Sequence, residues 1–169
     1  MDIRVPEMEN LLRLHGLLQE TLKDLRRQIE LIKCDREEES VYAAATNRNF
    51  DGMPGTAQLT DRTAKIALSL RGVSGEHREA IRELSRDINL IGMIFDRVEL
   101  AKRLLSRDEQ EVIKLRYDQG LTFQEMAAVM KTGKGHIKQK HGQALERMVQ
   151  ACRIEQDEYE KVLSILKEG

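Results

Sequence analysis

Apolar residues recurring at alternating steps of four and three constrain this chain more than any other feature. Leu18, Leu22, Leu25, Ile29 and Ile32 keep that rhythm, with Gln, Glu, Lys and Arg filling the positions between them. An α-helix turns once in about 3.6 residues, so this spacing gathers the five side chains into one stripe, a seam along which helices pack. One long helix is predicted over roughly Glu7 to Ala45. Ile81, Leu84, Ile88, Ile91, Phe95 and Val98 repeat the alternation, and Leu105 continues it after Lys102 takes the intervening position. A second long helix follows.

Between the two, "TNRNFDGMPGT" (Thr46 to Thr56) holds Gly52, Pro54 and Gly55, which break a helix and permit a reversal. Thr60 or Asp61 offers a side-chain oxygen to cap the next helix. "RGVSGEH" (Arg71 to His77), with two glycines, predicts a kink or short loop inside it. Seamed helices joined by a reversal bury against each other as an antiparallel hairpin, or against a second copy in a homo-oligomer. Only 2 prolines and 4 % aromatics among 169 residues fit an all-α chain with a thin aliphatic core, not a β-sandwich or an α/β fold. That length suits one moderate domain or two small ones.

Several classes of function are excluded by what the sequence lacks. No apolar run approaches the roughly 20 residues that span a bilayer, and Met1 to Glu20 lacks a signal peptide's layout, so the expectation is a cytoplasmic protein without membrane contact. Cys34 and Cys152 stand alone, without CxxC spacing or paired histidines, which leaves no metal site and no disulfide framework. The carboxylates fall at capping positions or in solvated runs such as "DREEES", where nothing tunes their acidity. "TGKGH" lacks the glycine spacing and the following Ser or Thr of a phosphate loop. The chain is read as a non-enzyme that needs no cofactor.

From Leu105 onward the pattern changes to short capped helices. Ser106 with Glu109 three positions later forms a capping box opening "RDEQEVIKLRY", whose apolar side is Val112, Leu115 and Tyr117. Gly120 ends that helix, because glycine tolerates the left-handed conformation of a helix terminus. Thr122 with Glu125 is a second box, opening "FQEMAAVM", and a third helix begins near Gly133 and runs through Ile137, Ala144, Leu145 and Met148. Ala127 and Ala128 are small enough for two helices to cross, as a helix-turn-helix requires. His141 falls beside the buried seam and reads as a structural histidine.

The net charge of −1 is unevenly spread. Lys131, Lys134, Lys138, Lys140, Arg147 and Arg153 face only Glu146, a local balance of +5, whereas the segment from Ile154 onward carries −3. Confining positive charge to one helix suits a protein that meets DNA through a single surface. Lys134, Lys138 and Gln139 lie on or near one face, where they can donate to base acceptors, and lysine can also neutralise phosphates. Lys140 and Gln143 are placed towards phosphate, and the amide ends at Thr122 and Gly133 are candidate phosphate holders. The acidic C-terminal segment, with Val162, Leu163, Ile165 and Leu166 on one side, is expected to pack on the hairpin, another subunit or a partner.

"LSRDEQEVIKLRYDQGLTFQEMAAVMKTGKGHIKQKHGQALERM" resembles the fourth region of sigma factors, which recognises the −35 promoter element. A Leu-Ser opening, "LRY..GLTFQEMA" and "HIKQ....AL..M" come in the family's order and spacing, over roughly Leu105 to Val149. The preceding long helix, "GMPG" loop and "TDRTAKIA" helix resemble the phage-encoded, region-4-like regulators of Gram-positive bacteria, the ArpU and RinA type. That resemblance implies control of late phage or prophage genes in a bacterial host, double-stranded promoter DNA and RNA polymerase as partners, and base-reading roles for Lys134, Lys138 and Gln139. The sequence departs from the pattern at Gly133, where a Ser or Thr cap is common, at Thr132, in place of an aliphatic turn residue, and at Gly135, where an acidic base reader is frequent. His136 beside Gly135 is its candidate substitute, and Lys131 adds charge at the turn.

These readings give an all-α chain with a coiled-coil-like helical hairpin over residues 1–104, a helix-turn-helix of sigma region 4 type over 105–153 and an acidic amphipathic helix over 154–169. The function expected is sequence-specific transcriptional regulation. A small terminase subunit marking phage packaging DNA, and a polymerase-binding or anti-sigma-like module without DNA affinity, are the alternatives.

Overall fold

The computed structural model describes the backbone of residues 2–48 and 58–168, and side chains within 2–35 and 75–167. Seven α-helices and one π-helical turn make up the described residues, with no strand among them. They are α1 (Val5–Arg13), α2 (His15–Arg48), α3 (Gln58–Leu104), α4 (Arg107–Ile113), the π turn (Lys114–Asp118), α5 (Phe123–Val129), α6 (Lys134–Cys152) and α7 (Gln156–Glu168). The chain is all-α, as the spacing predicts.

Two compact units divide it. One takes Met1–Leu22 with Asn89–Gly169, and the other takes Lys23–Ile88. The second unit holds the rest of α2 and the first part of α3, with Leu25 buried and Ile29, Ile32, Ile81, Leu84 and Ile88 half-buried. Most of the expected reversal, from residue 49 to 56, lies outside the described residues.

Three details of the long helices differ from the sequence reading. The first helix is two: Leu14, with ψ near 0°, bends the chain between α1 and α2. Gly16, a poor helix former, stands just beyond the bend. The bend has a purpose in packing, because α1 buries Met8, Leu11 and Leu12 and contacts α6, while His15 at the start of α2 stacks on Phe95 of α3 at 4.6 Å. Conversely, α3 runs unbroken through Arg71–His77, since two isolated glycines cost only about 1 kcal/mol each in a helix of 47 residues. Thr60 and Asp61 fall inside its first turn, so neither is its cap.

Within the first unit, α3 buries Ile91, Ile94, Val98 and Ala101 along its inner seam, and Leu105, just past its end, is buried as well. Lys102, at the seam's polar gap, pairs with Glu99 at 2.9 Å. Glu99 also lies 2.8 Å from His15 Nε2, though not in line for a hydrogen bond. The acidic α7 packs on the chain's own helices. Val162 and Tyr159 are buried, Asn10 donates to the Tyr159 hydroxyl at 2.8 Å, and Arg97 pairs with Glu158 at 2.9 Å. An isolated antiparallel bridge joins Asp2 to Glu155, and Ile3 N–H donates to the Ile154 carbonyl at 2.9 Å. Cys152 is buried, its thiol donating to the Arg97 carbonyl, and burial pushes its pKa up to about 11; Cys34 is exposed.

No described helix is long and apolar enough to cross a membrane. Among the described residues, no three His, Cys, Asp or Glu side chains are grouped to hold a metal ion.

Gly120, with φ of +72°, closes the π turn and lets Leu121 N–H reach the Leu115 carbonyl at 3.0 Å. A methyl group there would meet no atom within 4 Å, so the constraint is purely one of backbone conformation. Gly120→Ala should therefore cost about 1–2 kcal/mol in denaturant unfolding while leaving helicity intact. An unchanged midpoint would mean that the turn relaxes to another conformation.

Candidate nucleic-acid interface

The segment from α4 to α6 assembles from its caps inward. At α4 the Glu109 carboxylate accepts from the Ser106 N–H at 2.9 Å and from its hydroxyl at 2.7 Å. At α5 the box is reciprocal: Glu125 takes the Thr122 N–H and hydroxyl, both at 2.7 Å, and the Thr122 oxygen accepts from Glu125 N–H at 3.4 Å. The turn after α5 closes with Thr132 N–H donating to the Ala127 carbonyl at 3.0 Å, and places Lys131 at φ of +51°. Val112, Leu115, Met126 and Ile137 form the buried centre, with Leu121, Phe123, Ala127 and Met130 packed around it. Ala127 thus serves the crossing, whereas Ala128 faces solvent.

Burial of Ile137, His141, Ala144, Leu145, Met148 and Cys152 fixes the rotation of α6. Gln139, two residues beyond Ile137 at about 100° each, lies nearly opposite the core, in the middle of the exposed arc. Lys138 stands along one edge of that arc and His136 towards the other, whereas Lys134 shares the azimuth of the buried residues and is exposed because it sits in the first turn. Lys138 leans towards α5, its ammonium 5.9 Å from the Phe123 ring centre, a ring that Arg116 also covers at 4.9 Å. Lys131, Thr122, Gly133 and Gln143 are exposed as well.

The two helix starts differ electrostatically. Glu125 already occupies the start of α5, where its hydrogen bonds with Thr122 hold its carboxyl below the usual range. That leaves Thr122 facing a carboxylate, an unfavourable place for a phosphate. At α6 no side chain caps Gly133, and no acidic residue stands in the first turn. Its orphan N–H groups point outward beside Lys134, with Gly133 and Gly135 adding no side-chain bulk.

The sequence reading counted six cations here, and the structure commits two of them. Lys140 pairs with Asp108 of α4, and Arg147 with the buried Glu109 at 2.8 Å. These pins hold α6 against α4. Burial alone would push the Glu109 carboxyl up, but Ser106 and Arg147 outweigh it and hold its pKa below the ordinary value. Lys131 and Lys134 enter no ion pair among the described residues, which concentrates free positive charge at the first turn of α6. Nothing in the sequence spacing distinguishes Lys140 from Lys138, because Asp108 sits 32 residues away.

His141 completes the core contact. Its Nε2 is 2.9 Å from the Tyr117 hydroxyl, and its ring meets Phe123 edge-on at 5.2 Å. The extra residue of the π turn is what rotates Tyr117 inward. Burial lowers the His141 pKa, with Glu9 of α1 raising it and Arg116 lowering it further. Burial and the nearby Glu9 raise that of Tyr117. A histidine held neutral contributes stability above its ordinary pKa of about 6.5, lost as pH falls through the lower folded value. Unfolding free energy should decline with acidification below about 6.5, by at most about 1.4 kcal/mol per pH unit for this one proton. His141→Gln should flatten that part of the profile; an identical profile in the variant would assign the pH dependence elsewhere.

Compared with known families, residues 103–149 match the family described as Sigma-70, region 4. Neither the curated proteins nor the solved structures contain a match to the chain. The segment from the end of α3 to Val149 is thus a helix-turn-helix similar to region 4 of sigma-70 factors, a DNA-binding regulatory domain and not a catalytic one.

Proposed function

We propose that this protein is a sequence-specific DNA-binding transcription regulator whose recognition helix is α6. The observation that carries the reading is the state of its first turn. Lys131 and Lys134 are unpaired, the helix start is uncapped, and Gly133 and Gly135 leave the backbone open, within a segment similar to sigma-70 region 4. A helix entering the major groove by its N-terminal turns needs such an end, because the groove is just wide enough for one α-helix.

Gln139, central on the exposed arc, is assigned to base edges, with His136 and Lys138 flanking it. Lys131, Lys134 and the Gly133 amide end take phosphates, and Gln143 extends the surface. Lys140 is assigned mainly to holding α4, and Thr122 mainly to capping α5. The likeness of the layout to phage regulators of the ArpU and RinA type supports a role at late phage or prophage promoters in a bacterial cytoplasm, with RNA polymerase as a further partner. Residues 1–104 would then position the DNA-binding module and residues 154–169 brace it.

Binding of the full chain to promoter-proximal fragments from its own gene neighbourhood, across roughly 50–200 mM salt, tests the proposal. Lys134→Ala should weaken binding to all sequences and reduce the salt slope by about 0.9, whereas Lys140→Ala should change the slope far less. Gln139→Ala should cost about 1–3 kcal/mol of discrimination at one base pair. Equal affinity of the wild type for every fragment, or no change on replacing both Lys134 and Lys138, would sink the reading.

A further inference from the structure

The inner seam of α3 leaves an opposite face bare. Met93, Asp96, Leu100 and Arg103 follow one another at steps of three, four and three, with Leu104 beside Arg103, so they too form a stripe along the helix. All are exposed, and the apolar ones conspicuously: Met93 at 43 %, Leu100 at 58 % and Leu104 at 67 %. Single exposed leucines are ordinary on a soluble surface, but three large apolar side chains aligned on one helix face are an unpartnered seam.

The charges on this stripe decide what can cover it. Asp96 and Arg103 lie one heptad apart, on either side of Leu100, and neither enters an ion pair among the described residues. Arg97, the nearest cation in sequence to Asp96, is committed to Glu158, and Lys102, beside Arg103, to Glu99. A second α3 laid parallel would set Asp96 on Asp96 and Arg103 on Arg103, both repulsive. Laid antiparallel about a two-fold axis near Leu100, each Asp96 meets the other copy's Arg103, twice over, and the two Leu100 side chains close between them. A two-fold contact is self-complementary in this sense: residue i meets j, and j meets i.

We propose that the outer face of α3, centred on Leu100, is a homodimer interface in which two copies pack antiparallel and exchange Asp96–Arg103 ion pairs. It lies within one compact unit and does not involve the inner seam, whose residues are already buried. The proposal is independent of the DNA-binding reading.

The test is the association state of the full chain by sedimentation velocity across the micromolar range, with circular dichroism to verify that each variant keeps its helicity. The wild type should be a dimer. Asp96→Arg and Arg103→Asp should each raise the dimer dissociation constant about tenfold or more, because each sets like charges together. The double variant, with the charges exchanged, should return to within a few-fold of the wild type. Leu100→Glu should give a monomer. A wild type that stays monomeric throughout overturns the proposal. So does a dimer indifferent to Leu100→Glu and both reversals, which would be held by another face. Failure of the double variant to recover overturns the antiparallel pairing.

Discussion

Ile137 has no solvent exposure, held among Val112, Leu115 and Met126 from three other elements of the chain. A helix has a single rotation about its axis, so burying that side chain determines which residues of α6 face water. Gln139 and Gly135 are turned outward because Ile137 is turned in. Removing a fully buried side chain of this size typically costs 2–5 kcal/mol, several times what any exposed lysine contributes to folding. The hydrophobic term thus sets the orientation, and the polar surface inherits it.

The ion pairs then act as fine adjustment. Asp108–Lys140 and Glu109–Arg147 join α4 to the middle of α6, one on an exposed carboxylate and one on a buried carboxylate. The Asp108–Lys140 pair, on an exposed carboxylate, adds little stability, so its effect is chiefly on geometry and on where charge remains available. By engaging Lys140 and Arg147, the two pairs leave Lys131, Lys134 and Lys138 unpaired among the described residues around the start of α6, with Arg153 unpaired at its other end.

Much of this was legible in the sequence where the cause is local. Ser106 with Glu109, Thr122 with Glu125, and Gly120 act through neighbours within a few residues, and the structure places the predicted hydrogen bonds and left-handed turn at those positions. The seams at Leu18, Leu22, Leu25 and at Ile91, Val98, Leu105 are buried because periodicity is itself a local property. What the pattern did not disclose depends on distant partners. The bend at Leu14 exists because α1 and α2 serve different neighbours, and the π turn is understood only once Tyr117 is seen against His141. Spacing makes Lys138 a base reader and places Lys140 towards phosphate, yet only Lys140 has an aspartate from another helix within reach. The uninterrupted α3 shows the converse limit, since two isolated glycines do not break a helix of 47 residues.

Cys34 and Cys152 report on different parts of the molecule. Cys34 is exposed on α2 in one compact unit, while Cys152 is sealed at the end of α6 in the other, its thiol bonded to a backbone carbonyl and its ionisation suppressed. Thiolate is the reactive species, so an alkylating reagent meets one ready target and one that opens only when the end of α6 separates from α3. The chain therefore carries its own stopwatch for local opening: Cys34 reacts at the speed of the reagent, Cys152 at the speed of the protein.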